Sequence, residues 1–229
     1  MAANPLSLPR FWIAARRARA WAGKAPRHRG EFTLGRSPGE SKVFAVFGDS
    51  IGCGTGAPDF TRSFPGVVAR RLARDGPVVC RVFAIPGARA RTLWAQRVTG
   101  DERIAAVSIG SNDVFHAAPP GEVERHLASF LRRLKHAERV VVLGPCDVTA
   151  VLIVPDVLRT VLRRRMLACE AVIKAVVRRW PNARHVGPSS SRMKFGPEDF
   201  APDGFHPNER GQRRLALAVY NRIAVTSRR

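Results

Sequence analysis

From Val43 onward, short apolar runs alternate with stretches of helical periodicity. The runs are four to eight residues long and nearly continuous, which is typical of strands buried on both faces of a parallel sheet. Five strands are predicted, at residues 43–47, 78–85, 104–109, 139–143 and, more weakly, 184–187.

Helical patterns separate these strands and follow the last one, at residues 64–74, 88–99, 122–137, 158–180 and 208–224. Strands that alternate with helices are typical of βα units. The pattern therefore predicts an α/β catalytic domain over residues 43–229, built as a three-layer α/β/α sandwich around a mostly parallel five-stranded sheet. In such sheets the ligand site lies beyond the carboxyl ends of the strands.

Residues 1–42 have a different character. They contain nine Lys or Arg against two Glu, and four prolines interrupt any long helix. We interpret them as a basic N-terminal extension. Residues 11–13 and Trp21, together with Arg16, Arg17 and Arg19, predict a short basic amphipathic helix. This helix either contacts a membrane surface or a partner transiently, or packs back on the domain.

The whole chain of 229 residues is strongly basic, with a formal charge of +21 from 39 Lys and Arg against 18 Asp and Glu. The basic residues are spread over nearly every predicted helix without interleaved aromatic residues, which argues against dedicated nucleic-acid binding. The four cysteines lie far apart and predict neither a disulfide framework nor a zinc site. No apolar run resembles a signal peptide or a membrane span, so we predict a cytoplasmic protein.

A glycine-rich turn containing Ser50 follows the first predicted strand directly. A serine exposed at a strand end in such a turn is well placed for a nucleophile. Two other interpretations compete. Gly52, Gly54 and Ala57 match a dinucleotide fingerprint, and Arg89 after the second strand would suit the ribose phosphate of NADP. The alternative function is then an NADP-binding oxidoreductase, and the remaining interpretation is a plain loop.

Two further polar groups come from later segments. Asn112 follows the third predicted strand, where its amide could donate to an oxyanion or cap a helix. Asp203 precedes His206 by three residues in a turn with glycine and two prolines. This spacing allows the carboxylate to orient the imidazole while the other ring nitrogen accepts a proton from Ser50. The alternative is that Asp203 only caps the turn.

These segments together resemble the SGNH hydrolases, also called the GDSL esterase/lipase family, over nearly all of residues 43–226. The motifs that carry the resemblance are Gly48-Asp49-Ser50, Gly87, Gly110-Ser111-Asn112-Asp113 and Asp203-Gly204-Phe205-His206-Pro207. The resemblance implies a flavodoxin-like fold with Ser50 as nucleophile, His206 as base and then acid, and Asp203 as its orienting partner. It also implies an oxyanion hole formed by the backbone N–H groups of Ser50 and Gly87 and by the side chain of Asn112.

By this resemblance, the chain is expected to be a serine esterase or lipase that cleaves small-molecule or lipid esters through an acyl-serine intermediate, without a metal or an organic cofactor. A non-catalytic binding protein on the same fold stays an alternative. The sequence departs from the family at Val82, where many relatives carry a supporting asparagine. Asp49 or Asp113 is the expected replacement for that brace, because buried backbone groups of the nucleophile loop need partners.

Overall fold

The computed structural model describes residues 8–35, 40–147, 150–151, 154–187 and 195–224. A six-stranded sheet forms its centre, in the order β1-β3-β2-β4-β5-β6. The strands are β1 Gly30–Leu34, β2 Lys42–Gly48, β3 Val78–Val82, β4 Ile104–Ser108, β5 Arg139–Leu143 and β6 Ala183–Val186. All neighbouring pairs are parallel except β1 with β3, which is antiparallel.

Helices cover both faces of the sheet. The α-helices are α1 Leu8–Lys24, α2 Phe64–Leu72, α3 Ser111–Phe115, α4 Pro120–Arg133, α5 Asp156–Arg178 and α6 Glu209–Ala224. Helices α2 and α6 pack together over one apolar cluster, whereas α4 and α5 pack over another on the opposite face. Alternate side chains of the central strands feed the two clusters, as in β2, where Phe44 and Phe47 belong to different ones.

The α/β sandwich with a mostly parallel sheet is therefore confirmed. The parallel part of the sheet has the flavodoxin-like order β3-β2-β4-β5-β6. In this order the direction in which strands are added along the sheet reverses between β2 and β4. The crevice at the carboxyl ends of these two strands is the usual ligand position in such a fold. Ser50 follows β2 and Asn112 follows β4, so both lie at this edge.

The predicted number of five strands was wrong, because the sheet has a sixth strand, β1, within the segment interpreted as an extension. Its apolar signal is weak because only Phe32 and Leu34 are half-buried, and the remaining residues face solvent at the sheet edge. Contacts distant in sequence stabilise it: Phe32 stacks on Phe60 with ring centroids 3.7 Å apart, and Glu31 pairs with Arg81 at 2.7 Å. The division at residue 43 into an extension and a catalytic domain stays a prediction.

Element boundaries also differ from the predicted ones, most clearly in the segments at 88–99 and 78–85. The helix predicted at 88–99 is a 3₁₀-helix over Ala90–Ala95. Strand β3 ends at Val82, although Phe83 and Ile85 still donate backbone hydrogen bonds to the carbonyls of Val46 and Gly48. The chain thus stays alongside β2 as far as residue 85. No helix among the described residues is long and apolar enough to cross a membrane.

Candidate active site

The nucleophile loop, defined here as residues 48–57, begins where β2 leaves the sheet beside β4. The Asp49 carboxylate lies buried below Ser50, where Oδ1 accepts hydrogen bonds from the Ile51 backbone N–H at 3.0 Å and from Ser108 Oγ at 2.8 Å. The Asp49 N–H in turn donates to the Ser108 carbonyl at 3.0 Å. These bonds tie the turn to the end of β4 and fix the position of Ser50.

A second brace comes from Gln96, which follows the 3₁₀-helix and is almost fully buried. Its Oε1 accepts from the Gly48 N–H at 2.7 Å, and its Nε2 donates to the Gly48 carbonyl at 2.8 Å. One side chain thereby satisfies both backbone groups of the residue at which the loop begins. No local pattern indicates this role, because a single glutamine in a predicted helix looks like an ordinary polar residue.

Asp203 and His206 lie together in the turn before α6, and both are buried. Asp203 Oδ1 accepts from the backbone N–H groups of Phe205 and His206 at 3.0 and 2.9 Å, which shapes the turn. Its Oδ2 lies 2.6 Å from His206 Nδ1, and His206 Nε2 lies 3.0 Å from Ser50 Oγ. The structure therefore brings the three predicted residues into one hydrogen-bonded line. Asp203 shapes the turn as well, so the two interpretations of this residue are compatible.

Gln212 connects the histidine segment to the nucleophile loop. It is fully buried in α6, where Oε1 accepts from the Phe64 N–H at 2.9 Å and Nε2 donates to the Thr55 carbonyl at 2.9 Å. These bonds hold α6, the start of α2 and the end of the nucleophile loop in a fixed relation. Sequence reasoning also missed this residue, since its partners are distant backbone groups.

The predicted oxyanion donors lie at the same edge. Asn112 is in the first turn of α3 and donates through Nδ2 to the Ala88 carbonyl at 3.0 Å, while the Asp113 carboxylate accepts from the Ala90 N–H at 3.1 Å. Both bonds hold the segment that follows Gly87. Within the described part of the chain, no acceptor is paired with the backbone N–H of Ser50 or Gly87. Those two donors are available to a ligand.

Burial governs the acid-base properties of the groups around Ser50. It raises the pKa of the Asp49 carboxyl to about 6, although hydrogen bonds from Ser108 and the Ile51 N–H oppose the shift. Burial also raises the pKa of Asp113, and that of the Cys146 thiol to about 11. Cys146 therefore stays protonated at neutral pH and is a poor nucleophile, because attack requires the thiolate.

A small cavity of about 20 Å³ adjoins Ser50 and has a mainly apolar lining. Its apolar lining residues are three phenylalanines, Ile51, Cys146, Pro207 and Leu215, and its polar ones include Asn112 and His206. A volume of this size holds roughly one water-sized group. The phenylalanines concerned are Phe195, Phe200 and Phe205.

The glycine loop does not have the geometry of a dinucleotide-binding turn. In that motif the glycines leave room for a pyrophosphate at the N-terminus of the helix that follows. Here, a Cβ on Gly52 would lie 2.8 Å from Ala84 Cβ, and one on Gly54 would lie 2.4 Å from Ser63 Cβ, so protein atoms fill the space. Helix α2 begins only at Phe64. The described residues also contain no group of three or more His, Cys, Asp or Glu that could hold a metal ion.

The sequence profile of the GDSL-like Lipase/Acylhydrolase family matches residues 46–214, which span the nucleophile loop, Asn112 and the Asp203-His206 turn. The chain belongs to this family. No curated protein sequence matches the chain significantly. This family is the one that the motifs resemble. The matched region contains most of the sheet and the candidate site.

Solved structures share the fold of this family member at low sequence identity. A lipolytic protein of the G-D-S-L family from Veillonella parvula DSM 2008 superposes with a TM-score of 0.61 at 18% identity, over 82% of this chain and 100% of that chain. The psychrotrophic esterase EstA from Pseudoalteromonas sp. gives 0.60 at 12% identity, over 80% and 97%. TesA gives 0.59 at 21% identity, over 80% and 98%. Each comparison supports the SGNH hydrolase fold.

Proposed function

We propose that the protein is a serine esterase that hydrolyses carboxylic esters through an acyl-Ser50 intermediate. The observation that carries the proposal is the hydrogen-bonded line from Asp203 through His206 to Ser50, with 2.6 and 3.0 Å between successive polar atoms. A nucleophile, a base and a group that orients the base are the parts that acyl transfer requires. Membership of a lipase/acylhydrolase family supports the same reaction class.

In the proposed mechanism, His206 Nε2 accepts the Ser50 hydroxyl proton while Oγ forms a bond to the ester carbonyl carbon. The Asp203 carboxylate holds the proton on Nδ1 and stabilises the imidazolium that forms. The carbonyl oxygen becomes an oxyanion, for which the N–H groups of Ser50 and Gly87 and the amide of Asn112 are the donors. Collapse breaks the ester C–O bond, and His206 returns the proton to the leaving alcohol.

The second half of the reaction repeats these steps with water. His206 accepts a proton from water, the resulting hydroxide attacks the acyl carbonyl carbon, and the Oγ–acyl bond breaks as the proton returns to Ser50. The small cavity beside Ser50 supports a short acyl group in preference to a long chain, since its phenylalanine walls leave little free volume. The products are a short carboxylic acid and the free alcohol.

The decisive test replaces the nucleophile. We expect Ser50→Ala to abolish hydrolysis of 4-nitrophenyl acetate, because the acyl-enzyme can no longer form. Ser41, which is exposed and precedes β2 at the opposite end of the strand from Ser50, provides a matched control, and Ser41→Ala should retain wild-type turnover. Circular dichroism would establish that both variants fold. Wild-type turnover in Ser50→Ala would contradict the proposal.

A covalent probe distinguishes the enzyme from a non-catalytic binding protein on the same fold. One solved relative, the esterase EstA, is described as inhibited by monoethylphosphonate. A fluorophosphonate should likewise modify this protein, with the adduct located on the Ser50 peptide by mass spectrometry. If the wild-type protein is neither labelled nor active on any short ester, the binding-protein alternative is favoured.

A further inference from the structure

Helix α1 adjoins the candidate active site, although it comes from the segment before the matched family region. The Arg27 guanidinium donates to the Ala22 and Gly23 carbonyls at the end of α1, which is a favourable position for a cation. The chain then reaches the nucleophile loop: the His28 backbone N–H donates to the Cys53 carbonyl at 3.0 Å, and His28 Nε2 lies 3.3 Å from the Ala57 carbonyl oxygen. The segment that follows α1 is therefore anchored on the nucleophile loop that carries Ser50.

The orientation of α1 places an aromatic residue against the catalytic histidine. Ala18 is buried, whereas Ile13, Arg16 and Arg17 are exposed, so the face that carries Ala18 packs on the protein. Trp21 lies three residues later on the same face. Its ring centroid is 6.4 Å from that of His206, with 33° between the ring planes.

Trp21 and the small cavity both lie next to His206, but at different places. Phe205 packs edge-on against His206 with ring centroids 5.0 Å apart, and it belongs to the wall of the cavity beside Ser50. Trp21 contacts His206 but does not line that cavity. The site thus has two apolar surfaces, the wall of the small cavity beside Ser50 and the indole of Trp21.

The chemistry of ester hydrolysis indicates what each surface would bind. The acyl group stays attached to Ser50, whereas the alcohol must leave from a position where His206 can give it a proton. A side chain beside the imidazole and outside the acyl cavity consequently flanks the alcohol. An indole ring offers a large apolar face that prefers aromatic or other flat apolar groups.

We propose that Trp21 of helix α1 binds the alcohol portion of the substrate and selects esters of aromatic or apolar alcohols. This inference rests on the proposed esterase function. The outward face of α1 has a different character, because Arg16, five residues before Trp21, is exposed there. Helix α1 is then part of the substrate-binding site. The helix binds the leaving group and takes no part in proton transfer.

The test compares two esters that share the acetyl group and differ in the alcohol, 1-naphthyl acetate and methyl acetate. We expect Trp21→Ala to raise KM for 1-naphthyl acetate about 10-fold with kcat within about 2-fold of wild type, since an aromatic pair contributes roughly that much to binding. For methyl acetate kcat/KM should fall much less, so the ratio of the two kcat/KM values, naphthyl over methyl ester, should fall about 10-fold. Trp21→Phe, which keeps an aromatic ring, should recover most of the affinity for the naphthyl ester.

Trp94 provides the matched control, because it is 74% exposed on the 3₁₀-helix Ala90–Ala95, and Trp94→Ala should leave both esters unaffected. If Trp21→Ala reduced kcat/KM equally for both esters, or changed neither, the substrate-binding role would be overturned while the esterase proposal would stand. Absence of turnover and of Ser50 labelling in the wild type would overturn the esterase function and this inference with it. Far-UV circular dichroism would establish that each Trp21 variant keeps its helical content.

Discussion

The buried carboxyl of Asp49 leads to a quantitative prediction about stability and pH. Burial is the largest cause that raises its pKa, from 3.8 to about 6 in the folded protein. In the unfolded chain the side chain is solvated and titrates near its ordinary value. The difference is about two pH units, and each unit corresponds to 1.36 kcal/mol, so the linked free energy is about 3 kcal/mol.

The sign follows from which state binds the proton. Below about pH 4, Asp49 is protonated in both states and contributes no pH dependence. Between about pH 4 and 6 the unfolded chain releases the proton first, so the folded state loses stability as the pH rises. Above about pH 6 the carboxyl is ionised in both states, and the full cost of a buried carboxylate remains.

Asp49→Asn removes this titration and keeps an oxygen that accepts from Ser108 and from the Ile51 N–H. We therefore expect the difference in unfolding free energy, Asp49→Asn minus wild type, to increase by about 3 kcal/mol as the pH rises from 4 to 7. Urea unfolding at half-unit pH intervals measures this difference, and other titrating groups cancel between the two proteins. Asp75→Asn, at an exposed position, should give a profile parallel to that of wild type. Profiles of Asp49→Asn and wild type that run parallel would contradict a raised pKa of the Asp49 carboxyl.

Two further predictions concern the brace at Gly48 and the exposed face of α1. Gln96→Leu should lower the unfolding free energy by about 1–3 kcal/mol in urea denaturation, because the buried Gly48 N–H loses its partner, whereas the Gly48 carbonyl still accepts from the Ile85 N–H; an unchanged midpoint would show that the brace is dispensable. If α1 makes the predicted membrane contact, the double variant Arg16→Gln/Arg17→Gln should bind phosphatidylserine/phosphatidylcholine vesicles about 30-fold more weakly in a co-sedimentation assay. This factor corresponds to roughly 1 kcal/mol per arginine. An equal loss in a control in which Arg163 and Arg164, both exposed on α5, are replaced would contradict a localised contact.

The central fold and the places of the candidate site residues in it were predictable from the sequence for a common reason. Strands buried on both faces have continuous apolar runs, and the residues directly after such strands must lie at one edge of a parallel sheet. Ser50 and Asn112 follow β2 and β4 in this way. Asp203 and His206 were identifiable because a three-residue spacing in a tight turn allows only a few arrangements.

The residues that support the site were not predictable from local patterns. Gln96 and Gln212 bind backbone groups that are 48 and 157 residues away, and no local periodicity encodes such partners. Strand β1 was missed because an exposed edge strand needs few apolar residues. The sequence pattern places Trp21 in an amphipathic helix, but its position beside His206 depends on how α1 packs.

Val82 stands where many relatives carry a supporting asparagine, and in this protein other elements support the nucleophile loop. Val82 is buried in β3 and offers no hydrogen bond through its side chain. The loop is held instead from β4 through Asp49 and Ser108, from the segment after the 3₁₀-helix through Gln96, and from α6 through Gln212. Of the two expected replacements, Asp49 braces the loop directly, whereas Asp113 holds the segment after Gly87. Because these anchors reach the loop from separate elements, an asparagine in the second strand is not required to fix the position of Ser50.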